Sequence, residues 1–283
     1  MIYLLIAILL FSLNNVLWKK NLASISISLL MTYRALFTSL LAIGLLLYFY
    51  DLDTFTRAQF LKTSIASLLG AMGLICMLNI FKKTSLQWVG VYNLLGIGFT
   101  ILYLWLFKKL EIYTSILGIS IITLGFGFYV YTHKNSTLKI SFKQHLILLL
   151  MVVFFGISTI INWENLTDET PAILIIANQE STVFICGLIL FSTQKKTTSL
   201  KPILQKYFTR VLLMSIVIFL GLLFSFLGLK ITNPIISGTL FLANPLTTIL
   251  FSSLFFKEKI SIKEWIAIGT IALGAFLLHL QTQ

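Results

Sequence analysis

Ten apolar runs, each about as long as a bilayer is thick, leave this chain very few ways to fold. They fall at roughly 2–18, 26–50, 64–81, 86–107, 112–131, 146–163, 172–191, 211–229, 233–256 and 260–280. At about 1.5 Å of helix rise per residue, about 20 apolar residues cross a hydrocarbon core of about 30 Å. Backbone polar groups in lipid must pair within the chain, which leaves helices or a closed barrel. The runs exceed barrel-strand length and lack strand alternation, so the sequence predicts an all-α membrane protein with ten transmembrane helices. The longest polar segments, 132–145 and 192–210, are too short to hide a soluble domain. The first run lacks a basic start and an Ala-x-Ala site, so it is expected to stay as a span rather than leave as a signal peptide.

The net charge of +12 invites a nucleic-acid reading. The lysines, however, sit in short clusters between apolar runs, the pattern of membrane topogenesis, and no nucleic-acid partner is expected. Fifteen Lys and Arg fall on one side of the ten-span layout, and five (Arg57, Lys62, Lys108, Lys109 and Lys230) on the other. The richer side is expected in the cytosol, with both termini facing away from it, in a multi-pass protein of the plasma (inner) membrane. Cys76 and Cys186 lie inside apolar runs without metal spacing and read as packing residues.

The chain also repeats itself. Phe107-Lys108 aligns with Phe256-Lys257, Ile122 with Ile271, and Gly125 with Gly274, all 149 residues apart. Phe11 and Asn21-Leu22 align with Phe155 and Asn165-Leu166, and Lys82-x-Thr84 with Lys230-x-Thr232. Two units follow, 1–138 and 139–283. Five spans per unit is an odd number, so the second must enter the membrane from the opposite side, giving two inverted five-helix repeats, a recurring plan among secondary transporters. Gly96 and Pro245 hold corresponding places and are expected to weaken their helices near mid-membrane.

Residues 255–274 carry Phe256-Lys257-Glu258-Lys259-Ile260-Ser261, then Glu264-Trp265-Ile266-Ala267 and Gly274, preceded by Pro245. This hairpin resembles the EamA branch of the drug/metabolite transporter superfamily, with Lys257 and Ala267 in place of the usual glycines. The first copy is more degenerate, with Lys109 where the family has Glu and Gly96 where it has Pro. Span 1, with Asn14-Asn15 and Lys19-Lys20, and Arg34 in span 2 fit the resemblance too. It implies a carrier whose spans 1, 3, 4, 6, 8 and 9 line the substrate pathway, and termini often in the cytosol, against the charge count.

Arg34 and Glu180 are the charges well inside apolar runs, and an ionisable residue there is a functional-site hypothesis by default. They start from opposite faces at similar depth, so they either pair or touch cargo. Alternatively, Arg34 snorkels to headgroups and Glu180 is protonated or sits by water. A proton-loading role for Glu180 is a further expectation. Polar stripes add Asn14 and Trp18 in span 1, Cys76, Asn79 and Lys83 in span 3, Asn93, Gly96, Thr100 and Tyr103 in span 4, Ser158 and Asn162 in span 6, and Ser237, Phe241, Asn244, Thr248 and Ser252 in span 9. Singly, such residues are common glue between membrane helices. Together they favour a polar central cavity, with Trp18, Tyr92, Tyr103 and Phe241 as its apolar walls. Lys83 and Lys230 either attract anionic cargo at the mouths or anchor to headgroups. Gly118, Gly125, Ala267 and Gly274 read as close-packing positions, and Trp163, Glu164, Asp168 and Glu169 as an interfacial belt and solvated loop.

No histidine spacing, phosphate loop, nucleophile elbow or metal carboxylate pair is present in the sequence, so no enzyme activity, metal or cofactor is expected. The expected function is secondary-active transport of a small organic metabolite, such as an amino acid or related compound, with the two halves rocking in alternating access. Its expected partners are the substrate, membrane lipids, and a proton or counter-substrate; oligomeric state is not legible. The competing class is a lipid-handling or non-transporting membrane protein, which would show a lateral groove instead of a closed-ended polar cavity.

Overall fold

Helix is the only regular structure among the described residues, which in this computed structural model are 1–22, 24–51, 53, 55–81, 86–108, 116–132, 141–193, 200–256 and 260–281. The helices are α1 (Ile2–Leu22), α2 (Ile27–Phe49), α3 (Arg57–Phe81), α4 (Leu86–Lys108), α5 (Ile116–Thr132), α6 (Phe142–Thr167), α7 (Ala172–Ser192), α8 (Leu200–Ile231), α9 (Pro234–Phe241), α10 (Asn244–Phe256) and α11 (Ile262–Gln281). The molecule is an all-α membrane protein, with outward-facing side chains such as Phe107, Leu124 and Leu254 more than two-thirds exposed where lipid would cover them. Polar residues mark several starts: Ser26 caps α2, Ser141 and Gln144 form a capping box on α6, and Asn233 caps α9 ahead of Pro234.

α9 and α10 together make one crossing, interrupted where the sequence places Pro245. Proline has no N–H, so the carbonyl of Phe241 loses its helical donor. The chain tightens into i→i+3 bonds, Leu242 N–H to Thr239 O and Ala243 N–H to Leu240 O, before α10 starts with Thr247 N–H to Ala243 O. Gly96 behaves differently from the expectation: α4 runs through it unbroken. A Cβ there would lie 2.6 Å from Val152 Cγ1, so this glycine lets α6 approach α4. α8 begins at Leu200, eleven residues before the expected span.

The main pairings join the first five helices to the last six. α2 packs on α7 and α5 on α11, and the others come in matched sets: α3 on α6 with α8 on α1, α3 on α7 with α8 on α2, and α4 on α6 with α10 on α1. Exchange of the two halves maps these contacts onto one another. The correspondence reaches single atoms. A Cβ on Gly125 would meet Ile271 Cγ1 at 2.9 Å, and one on Gly274 would meet Ile122 Cγ1 at 2.8 Å. Gly73 sits under the ring of Phe155, and Gly221 under that of Phe11. Gly118 touches Leu278, its Cβ position 2.8 Å from that residue's Cα, and Ala267 is fully buried, so α5 and α11 approach almost backbone to backbone. The two halves thus interlock along several seams rather than meeting at one.

Candidate functional site: a polar cavity across the α2–α7 contact

A cavity of about 390 Å³ lies between α1–α4 and α6–α10, with Arg34 and Glu180 in its wall. Both side chains are 2% exposed, and Arg34 Nη1 lies 2.8 Å from Glu180 Oε2. This selects the pairing alternative over snorkelling or a solitary carboxyl. α2 and α7, which carry the two charges, start at opposite faces, so the residues arrive at similar depth, Arg34 eighth in α2 and Glu180 ninth in α7. Two charges withdrawn from water hold their place only if each neutralises the other. The two groups pair directly at that distance, while Arg34 Nε has no partner.

Two further groups share that condition. Asn14 and Asn162, 5% and 3% exposed, line the same cavity, and each has an Oδ1 without a partner. An unpaired buried acceptor costs about 1–3 kcal/mol. The cavity therefore presents two unused acceptor atoms, Asn14 Oδ1 and Asn162 Oδ1, and one unused donor, Arg34 Nε, beside the Arg34–Glu180 ion pair. Arg34 and Glu180 are the charges among its described lining residues, so its net charge is zero. Aromatic walls come from Phe11, Trp18, Phe155, Phe226 and Phe241, with the Phe11 and Phe241 rings 5.6 Å apart.

Nine of the twelve candidates from the sequence meet here: Asn14, Trp18, Arg34, Asn93, Ser158, Asn162, Glu180, Phe241 and Asn244. Two of these are already engaged. Ser158 Oγ donates to Ala66 O at 2.8 Å, fastening α6 to α3. Asn244 Oδ1 accepts from Ser12 Oγ at 2.8 Å and Asn15 Nδ2 at 3.1 Å, and a Ser12–Thr247 hydroxyl pair closes the same α1–α10 seam. The other three candidates lie elsewhere. Asn79 is exposed on α3. Tyr92 hydrogen-bonds His145 Nδ1 at 2.6 Å, and Tyr103 turns outward against Phe107. The stripe reasoning failed for them because i, i+3, i+7 spacing defines a face but not which neighbour that face meets.

Thr159, Gln179 and Ser225 line the cavity without having been singled out, and so does Asn15, named earlier only as part of the resemblance. Gln179 had a signal, the polar run Asn178-Gln179-Glu180 inside an apolar span; Thr159 and Ser225 had none. Glu164, Asp168 and Glu169 are not merely solvated: they hold Lys108 at 2.7 Å, Lys62 at 3.1 Å and Lys230 at 2.7 Å. Lys230 is thereby occupied, and Lys83 lies outside the described residues. Cys76 and Cys186 are free thiols, half-buried against apolar neighbours.

Residues 142–280 match the EamA-like transporter family. No curated protein matches the chain. A protein known from its crystal structure is similar over 99% of this chain and 96% of its own, with a TM-score of 0.78 at 14% identity, a likeness of fold. The helical membrane fold and the family match lead to one conclusion: residues 142–280 are an EamA-like transporter unit, within a chain that shares its whole fold with a protein of known structure.

Proposed function

We propose that the protein is a secondary carrier for a small zwitterionic metabolite, an amino acid or a close relative, moved by alternating access. The observation that supports this is the set of unused polar atoms in the cavity wall. A primary ammonium has three N–H donors, and unpaired acceptors wait on α1 and α6 beside the Glu180 carboxylate of α7. A carboxylate accepts N–H bonds from a guanidinium, and Arg34 keeps Nε without a partner. A cargo carrying both groups leaves the cavity neutral, whereas a simple anion or cation would leave one of Arg34 and Glu180 poorly compensated. Phe11, Trp18 and Phe241 supply walls for an apolar side chain.

The proposed motion follows from the packing. α1–α3 with α6–α8 form one body, and α4, α5 and α9–α11 the other, which meet along the α4–α6 and α1–α10 seams. In an inverted repeat these seams are equivalent and close opposite faces of the membrane. Coupling is to a proton or to a counter-substrate, and Glu180 is the residue placed to carry the former. The test is counterflow in proteoliposomes with pooled amino acids, nucleobases, sugars and choline-like amines. Exchange of amino acids is expected. Exchange of none of the four pools, with transbilayer movement of a labelled phospholipid instead, would assign the protein to lipid handling.

A further inference from the structure

Each half of the chain brings one residue of its second helix to the cavity wall at the same place. Arg34 is the eighth residue of α2 and Gln179 the eighth of α7, and both line the cavity. The halves coincide around them: Gly73 under the Phe155 ring mirrors Gly221 under that of Phe11, and both rings lie in the same wall. The ninth positions are Ala35 and Glu180. One half thus supplies the guanidinium and the other its counter-charge, and the Gln179 amide is the group left over.

The neighbours of Gln179 on α7 are both committed. Asn178 Nδ2 donates to Thr63 Oγ1 of α3 at 2.6 Å, and Glu180 holds Arg34 of α2 at 2.8 Å. With the residue on each side anchored to a different helix, the rotation of α7 is set, and Gln179 stays in the cavity wall. Its side chain is half-buried and makes no hydrogen bond to the protein. Thr159 on α6 and Ser225 on α8 line the same cavity and are equally uncommitted.

A primary amide offers N–H donors and a carbonyl acceptor and carries no charge. Arg34 and Glu180 are the charges among the described lining residues, so a charged group brought to Gln179 would find no counter-charge of its own. An apolar group there would displace water and leave the amide unpaired. An uncharged group that both donates and accepts satisfies it. We propose that Gln179 reads the tip of the cargo's side chain, and that this tip is an amide or a hydroxyl. This rests on the carrier reading above and narrows it. The head of the amino acid sits at Arg34 and Glu180, the rings of Phe11 and Phe241 flank an aliphatic stem, and the tip goes to Gln179.

The test is counterflow of labelled L-alanine, which has the head and no tip, by the full chain in proteoliposomes. L-asparagine, L-leucine and L-aspartate compete, three amino acids of nearly one shape with a polar, an apolar and a charged tip. In the parent, asparagine is expected to inhibit about fivefold or more better than either of the others. Gln179→Leu is expected to bring the asparagine-to-leucine preference down to about one or below. Gln179→Met, unbranched and close to glutamine in length, is expected to do the same and serves if the first variant folds poorly. General damage to packing would weaken all competitors alike and would not move the preference. A parent that favours leucine or aspartate, or a preference that survives both substitutions, overturns the assignment, while exchange of alanine leaves the carrier reading standing. Exchange of none of the four amino acids by the parent overturns both.

Discussion

Replacing Glu180 by glutamine should cost the fold far more than its small change in size suggests. Opposite unit charges 2.8 Å apart attract by about 6 kcal/mol at an effective dielectric of about 20. Part of that offsets the desolvation of the carboxylate, which the substitution removes. What remains is the cost of leaving Arg34, 2% exposed, without a counter-charge, about 3–5 kcal/mol for a buried pair. The amide can still accept one hydrogen bond, so the lower end, about 3 kcal/mol, is expected. That is about a hundredfold in the folded-to-unfolded ratio. Replacing both partners with apolar residues, Arg34→Met with Glu180→Leu, removes the stranded charge and should come within about 1–2 kcal/mol of the parent. Equilibrium unfolding in mixed micelles gives all three values, and the double-mutant cycle isolates the coupling. A loss below about 1 kcal/mol for Glu180→Gln, or a double variant as unstable as the single, would refute the claim that the pair is dry and mutually dependent.

Other expectations are cheaper to check. Gly125→Leu and Gly274→Leu should each destabilise by about 1–3 kcal/mol or more through overpacking of the α5–α11 seam. Gly127→Ala, with open space around its Cβ, should be near neutral in the same thermal scans. Asn162→Ala should weaken cargo binding about tenfold while changing stability little, since its Oδ1 has no partner to lose; Asn79→Ala, on the outer surface, should change neither. Tyr92→Phe, which removes the bond to His145, should lower stability by about 1 kcal/mol without altering cargo affinity.

The all-helical membrane fold was legible because lipid removes the alternatives: long apolar runs admit one kind of backbone. The Arg34–Glu180 pair was legible as one of two alternatives: matched depth allowed the charges to meet, but sequence alone did not exclude snorkelling of Arg34 or a protonated Glu180. Pro245 announced the break between α9 and α10 because it deletes a donor outright, whereas Gly96 deletes nothing and its helix continues. What escaped depended on partners. Asn244 lines the cavity as expected, but its side-chain oxygen is taken by Ser12 and Asn15 on α1. The acids at the α6–α7 turn looked like ordinary loop charges until three lysines, from 56 to 106 residues away in sequence, came within reach. Identity between the copies is too faint to show in sequence that Gly125 and Gly274 touch each other's counterpart isoleucines; the packing makes that plain.

The central claim is that one cavity opens alternately at two equivalent seams. Spin labels report it directly when placed at Phe107 and Thr167, across the α4–α6 seam on the acid-bearing face, and at Lys20 and Leu254, across the α1–α10 seam on the other. Pulsed distance measurements with and without an exchanging amino acid should show one separation growing as the other shrinks. Two distances that lengthen together, or that stay fixed while cargo exchanges, would contradict alternating access in this fold.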